Sequence, residues 1–186
     1  HPGILAKAVQ AAVASAAGDP SGDEYLDAVA KETLRVRPVV FDVGRVLTKP
    51  VDLAGYRLPA GVMVAPAVGL VHSTRALYPE PHEFDPSRMH GDAFVPASWM
   101  PFGGGVRRCL GAAFAMTEMR IVLREVLLRT ELATTDRRGE RQKVKHVILV
   151  PGKGGLIRVS RVKSSAPQRI LPTTDSVPSP TPEGCC

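Results

Sequence analysis

Cys109 lies in the run Phe102-Gly103-Gly104-Gly105-Val106-Arg107-Arg108-Cys109-Leu110-Gly111, which sets one thiol among two guanidinium groups and four glycines. Those residue types suit a thiolate presented to a metal. Glycine has no Cβ, so it adopts positive φ and lets the backbone approach something flat or bulky. After Cys109, Leu110, Ala113, Phe114, Thr117, Ile121 and Leu128 recur at the 3.6-residue period of a helix. That places Cys109 at a helix N-terminus, where unpaired N–H groups and the positive end of the macrodipole favour thiolate over thiol. The competing reading is a small buried hydrophobe ahead of an apolar helix.

A second constellation is Lys31-Glu32-Thr33-Leu34-Arg35, in a segment where Leu26, Val29 and Val36 keep a helical period until Pro38 ends it. Glu32 and Arg35 are three apart and share a helix face. Alone, such a pair is an exposed ornament worth about 0.2–0.5 kcal/mol.

The elements that must position these groups can be sketched from periodicity and turn chemistry. His1 to Ala17 is an Ala-rich amphipathic stretch with Leu5, Val9, Ala12, Val13 and Ala16 on one side. Val39 to Phe41 and Val43 to Thr48 read as extended segments, with turns at Asp52 to Gly55 and Pro59 to Gly61 ahead of a strand over Val62 to Ala65. Lys145 to Val150 and Leu156 to Ser160 read as a C-terminal hairpin joined through Pro151 to Gly155. From residue 163 to 186 the chain is rich in Pro, Ser and Thr and reads as a disordered tail ending in the adjacent Cys185 and Cys186, an exposed oxidisable pair.

Phe102, Gly105, Arg107, Cys109 and Gly111 stand at the spacing of the haem-binding loop of the cytochromes P-450, the haem-thiolate monooxygenases, which this chain resembles. The resemblance implies a mainly α fold with a small antiparallel β-sheet, the C-terminal part of the all-α P-450 fold from about the J helix onward, over residues 1–162. It implies haem b (iron protoporphyrin IX) as cofactor and Cys109 as its proximal ligand, an anionic sulfur that pushes electron density onto iron. Phe102, Gly103, Gly105 and Gly111 would shape the loop against haem, and Arg107 would pair with a propionate. Arg108 has no such family role and is expected to face solvent.

Glu32 and Arg35 likewise resemble the Glu-x-x-Arg of the family's K helix, which clamps a second arginine. Arg88 is the candidate, although the usual Pro-Glu-Arg-Phe stands here as Pro86-Ser87-Arg88-Met89. The resemblance puts Val39, Val40 and Phe41 near substrate, and leaves Arg45 either as a ligand of the other propionate or as an exposed strand residue. Trp99 and Met100 are read as packing residues. His72, His82 and His90 fit no compact zinc spacing and are expected on the surface.

Composition bounds the reading. The 186 residues are 44% hydrophobic and 23% charged, those of a soluble globular domain. No apolar run approaches the roughly 18 residues of a membrane span. Three cysteines exclude a disulfide-rich secreted scaffold and point to a reducing, cytoplasmic setting. The net charge of +6 is a solvated surface, with Arg137, Arg138, Arg141, Lys143 and Lys145 in one run, or a surface that steers an acidic electron donor. No aromatic stacking platform accompanies it, which disfavours nucleic acid.

Three functions follow. The first is a haem-thiolate monooxygenase, or part of one, hydroxylating a small apolar substrate with dioxygen and two electrons from a ferredoxin or flavoprotein reductase. The second is a non-catalytic relic or haem-binding fragment, because the distal proton-delivery residues of the family have no counterpart after His1, and such a fragment alone is expected to be inactive. The third is a structural domain in which Cys109 is merely buried.

Overall fold

The computed structural model describes residues 1–91, 94–133 and 140–163. Arg137, Arg138, the tail beyond Lys163 and the Cys185-Cys186 pair lie outside the described residues. Helix α1 (Pro2–Ala16) has proline in its first turn, where the missing N–H costs nothing. Gly18, at φ +86°, turns the chain into α2 (Pro20–Val36). Asp19 caps α2 by accepting the Ser21 N–H at 2.9 Å. Pro38 forces Arg37 out of the helical region, to φ −131° and ψ 66°, and α2 stops at Val36.

A core of Ala8, Ala11, Ala12, Leu26 and Leu127 joins α1, α2 and a later helix, α4 (Ala112–Arg129), with Tyr25, Leu123 and Leu132 packed against it. The face that α1 buries is Ala8, Ala11, Ala12 and Ser15, while Leu5 and Val13, expected inward, are 36% and 57% exposed. Close approach of α2 explains the rotation: a Cβ on Gly22 would lie 2.4 Å from both Ala11 O and Ser15 N. Only small residues fit at such a contact.

Between the helices the strands are short and antiparallel. Strand β1 (Arg45–Val46) pairs with β4 (Met63–Val64), and β2 (Val51–Leu53) with β3 (Tyr56–Leu58). The β2–β3 turn is tighter than Asp52 to Gly55, because Ala54 and Gly55, at φ 50° and 83°, complete it alone. Val39 to Phe41 forms no strand; the Val39 carbonyl instead accepts Leu149 N–H at 2.7 Å. Helix α3 (Val68–His72) follows, and a coil with 3₁₀ turns leads to α4.

At the C-terminal side the pairing differs from the expected hairpin. Strand β6 (Gln142–Lys145) pairs with β7 (Ile148–Pro151), while β8 (Arg158–Val162) returns to β5 (Thr130–Ala133) at the end of α4. The turn falls at His146, which holds φ 58°, and so splits the segment Lys145 to Val150 that reads as one strand. Leu110, Phe114 and Ile121 on the periodic face of the α4 region are 103%, 73% and 44% exposed, and Ala112 and Leu127 point inward instead. The chain is thus mainly helical with small antiparallel sheets, and no helix among the described residues is long and apolar enough to cross a membrane.

Gly22→Ala is expected to destabilise the chain by about 1–3 kcal/mol, an overpacking cost that outweighs the helix propensity gained. Urea unfolding measures it, and an unchanged or raised midpoint would refute the close α1–α2 contact.

Candidate functional site

The last turns of α2 carry Glu32 and Arg35, 0% and 2% exposed. Arg35 Nε donates to Glu32 Oε2 and Nη2 to Oε1, each at 2.8 Å, a bidentate fork between residues one turn apart. Nη1 also donates to the carbonyls of His72 and Pro81, both at 2.8 Å, and Nη2 to that of Glu83 at 3.1 Å. All five guanidinium donors are therefore engaged. Glu32 Oε1 receives one more bond, from the Asp85 N–H at 3.0 Å.

Arg88 is held less tightly. Its Nε lies 3.8 Å from Glu32 Oε1, an ion pair without a hydrogen bond, and Nε has no other hydrogen-bond partner among the described residues. Nη2 donates to Glu80 O at 3.2 Å. Met89 beside it is buried against Ala28 and Tyr78, so an apolar group fills the position after the arginine.

The next stretch of coil hangs from α2 and α3. Trp99 Nε1 donates to Lys31 O at 3.0 Å, and its ring meets Phe94 and Phe102 edge-on, each at 5.9 Å, as a packing residue would. The Met100 N–H donates to His72 Nε2 at 3.1 Å. Gly103 and Gly105 hold φ of +70° and +63°, a region an L side chain enters only with strain. The loop closes where Cys109 N–H donates to Phe102 O at 2.9 Å.

Cys109 is a free, exposed cysteine, which removes the reading of a buried hydrophobe. It stands two residues ahead of Gly111, the N-cap of α4, at the positive end of that helix. The apolar side chains flanking it in sequence face solvent: Val106 at 102%, Leu110 at 103% and Phe114 at 73%. Arg107 and Arg108 are exposed too.

Arg45 sits on β1 with its side chain exposed and Nη1 folded back to Gly44 O at 2.9 Å. Val39 and Phe41 are exposed and Val40 is half-buried. The Phe41 ring lies across Gly69, so close that a Cβ there would come within 2.0 Å of it. Phe41, Gly69, His72, Ser73 and Leu149 help to line an open groove of about 420 Å³.

His82 and His90 are exposed as expected, the latter 3.1 Å from Glu24. His72 is the correction, at 1% exposure. Arg35 draws its carbonyl inward and Tyr78 meets its ring edge-on at 6.3 Å. Its only advance signal is its place at the end of the apolar run Val68 to Val71. No three metal-ligating side chains cluster among the described residues.

Burial, and secondarily the Arg35 charge, push the His72 pKa from 6.5 down to about 4. Between those values the unfolded chain binds the extra proton and the folded chain does not, so stability falls as pH drops through this window. Thermal unfolding at pH 7 and pH 5 is expected to show a smaller acid loss in His72→Gln than in the parent chain, and an equal loss would contradict a neutral buried imidazole.

The family model for Cytochrome P450 matches residues 23–159. A Mycobacterium tuberculosis protein described as cytochrome P450 135B1 is 71% identical over 159 residues, covering 86% of this chain and 34% of that protein. Another from the same species, cytochrome P450 135A1, is 40% identical over 85% of this chain and 34% of its own length. Among solved structures, a retinoic acid bound cyanobacterial CYP120A1 matches with a TM-score of 0.64 and 31% identity, over 72% of this chain and 31% of that one. The chain thus spans about a third of the length of the curated relatives it matches. Together with the closed glycine loop and the α2 carboxylate–guanidinium pair, these matches show that the chain belongs to the cytochrome P450 family.

Proposed function

We propose that Cys109 is the proximal thiolate ligand of a haem b group and that the intact protein is a monooxygenase acting on a small apolar substrate. The observation that carries this reading is an exposed thiol at the end of a closed glycine loop, flanked by fully exposed Val106 and Leu110. A flat apolar macrocycle with a metal at its centre suits such a surface, since it covers apolar side chains while a sulfur reaches the iron. When bound, haem supplies dioxygen activation with two electrons delivered by a ferredoxin or flavoprotein reductase.

Each residue's part follows from its chemistry. The start of α4 sets Cys109 beside the positive end of the helix macrodipole. Gly103, Gly105 and Gly111 let the backbone approach, and Phe102 screens the sulfur from water. Arg107, and Arg45 from β1, are exposed cations suited to the two propionates. Glu32, Arg35 and Arg88 hold the coil from which the loop departs, and Val39, Val40 and Phe41 border the substrate. Residues 1–162 act as one portion of a larger domain.

A second reading, a haem-binding fragment without turnover, is favoured by the exposed α4 face of Leu110, Phe114 and Ile121, which this chain leaves in water. Substrate hydroxylation by the purified chain would refute it.

The chain loaded with haem, reduced and saturated with carbon monoxide is expected to show the strongly red-shifted Soret band of thiolate ligation, and Cys109→Ser to lose it. No haem absorbance, or a red-shifted band that survives in Cys109→Ser, overturns the assignment. Arg88→Ala is expected to abolish haem incorporation by leaving Glu32 short of one cation, and bound haem in that variant would remove Arg88 from the scaffold.

A further inference from the structure

We propose that His72 is a positioning residue for the Cys109 loop, fixing through Nε2 the Met100 amide from which the loop departs. Its consequence for haem rests on the thiolate reading above; the geometry does not. The Met100 amide can only donate, so the Nε2 it reaches at 3.1 Å carries the lone pair and Nδ1 carries the proton. Two further contacts hold His72 in a buried place. Its carbonyl receives Arg35 Nη1 at 2.8 Å, its ring meets Tyr78 at 6.3 Å and 86°, and the residue is 1% exposed.

These bonds run without a gap from the buried pair to the loop. Glu32 orients Arg35, Arg35 holds the His72 carbonyl, and the His72 ring holds the Met100 amide. The Met100 carbonyl then accepts Gly103 N–H at 3.0 Å, where positive φ begins, and Phe102 O accepts Cys109 N–H at 2.9 Å. Met100 is thus gripped at both its amide and its carbonyl, and His72 ties that grip to Arg35 of α2, beside the neighbouring tie from Trp99 Nε1 to Lys31 O.

An apolar side chain of the same size would be the simpler filling. His72 Nδ1 is buried without a hydrogen-bond partner among the described residues, a cost that leucine would not carry. The imidazole brings in return an acceptor at one defined point. Such a bond restricts the loop more than packing alone does, because it is directional.

Three forms of the chain test this: the parent, His72→Gln, whose amide oxygen reaches about as far as Nε2, and His72→Leu. Met100 amide exchange, followed by NMR without haem, is expected to be about tenfold faster in His72→Leu and close to the parent rate in His72→Gln, as loss of one buried hydrogen bond requires. Haem titration should rank the forms in the same order, with the thiolate Soret band weakest in His72→Leu. Parental exchange in His72→Leu, or no rescue by His72→Gln, overturns the proposal. Should His72→Leu fail to fold, His72→Asn, too short to reach Met100, replaces it, and parental exchange there overturns the proposal equally. If the parent chain never shows a thiolate spectrum, the haem reading fails, while the order of Met100 exchange still decides the role of His72.

Discussion

A carboxylate removed entirely from water must be neutralised where it stands, and the coil between α3 and α4 is organised around doing so for Glu32. An isolated charge in such a place would cost several kcal/mol, and even a paired one stabilises only when every remaining donor and acceptor is met. Arg35 meets that condition by spending its other N–H groups on the carbonyls of His72, Pro81 and Glu83. The first is the end carbonyl of α3 and the other two belong to chain without helix or strand of its own, all places that would otherwise carry unsatisfied backbone. One ion pair therefore does the work that a sheet ladder does elsewhere, and it also makes the coil intolerant of losing either partner.

The constraint propagates outward with decreasing tightness. Glu32 and Arg35 are sealed, Arg88 is an ion pair without a hydrogen bond to the carboxylate, and the Cys109 loop is exposed from Gly104 to Gly111. That gradient suits a site that must be rigid in its support and open at its reactive atom. The helices beneath are assembled on similar terms: Arg120 on α4 reaches Asp27 on α2 at 2.9 Å, while small residues let α1 and α2 touch.

Much of the fold was legible because local rules and tertiary demands agreed. Pro38 marks the end of α2 through backbone chemistry, and the helix stops at Val36 as that proline requires. The C-terminal pairing is not legible in the sequence because His146 takes a left-handed turn that its residue type does not announce, and strand partners are chosen by contacts remote in sequence. The buried face of α1 differs from the periodic one for a related reason. Hydrophobicity ranks Leu5 and Val13 above alanine, but a helix contact closer than side chains allow selects alanine, serine and glycine.

By itself the sequence determined what depends on residue type and short spacing: the glycine loop with its thiol, the three-residue step from Glu32 to Arg35, and the helical class. Tertiary structure decided what depends on environment. Whether Glu32 and Arg35 form an exposed ornament or a sealed pair, and whether His72 lies in water or beneath Met100, is the same local sequence under two different dielectrics. Burial is a property of everything packed around a residue, so its charge state and its hydrogen bonds appear only once distant segments have met.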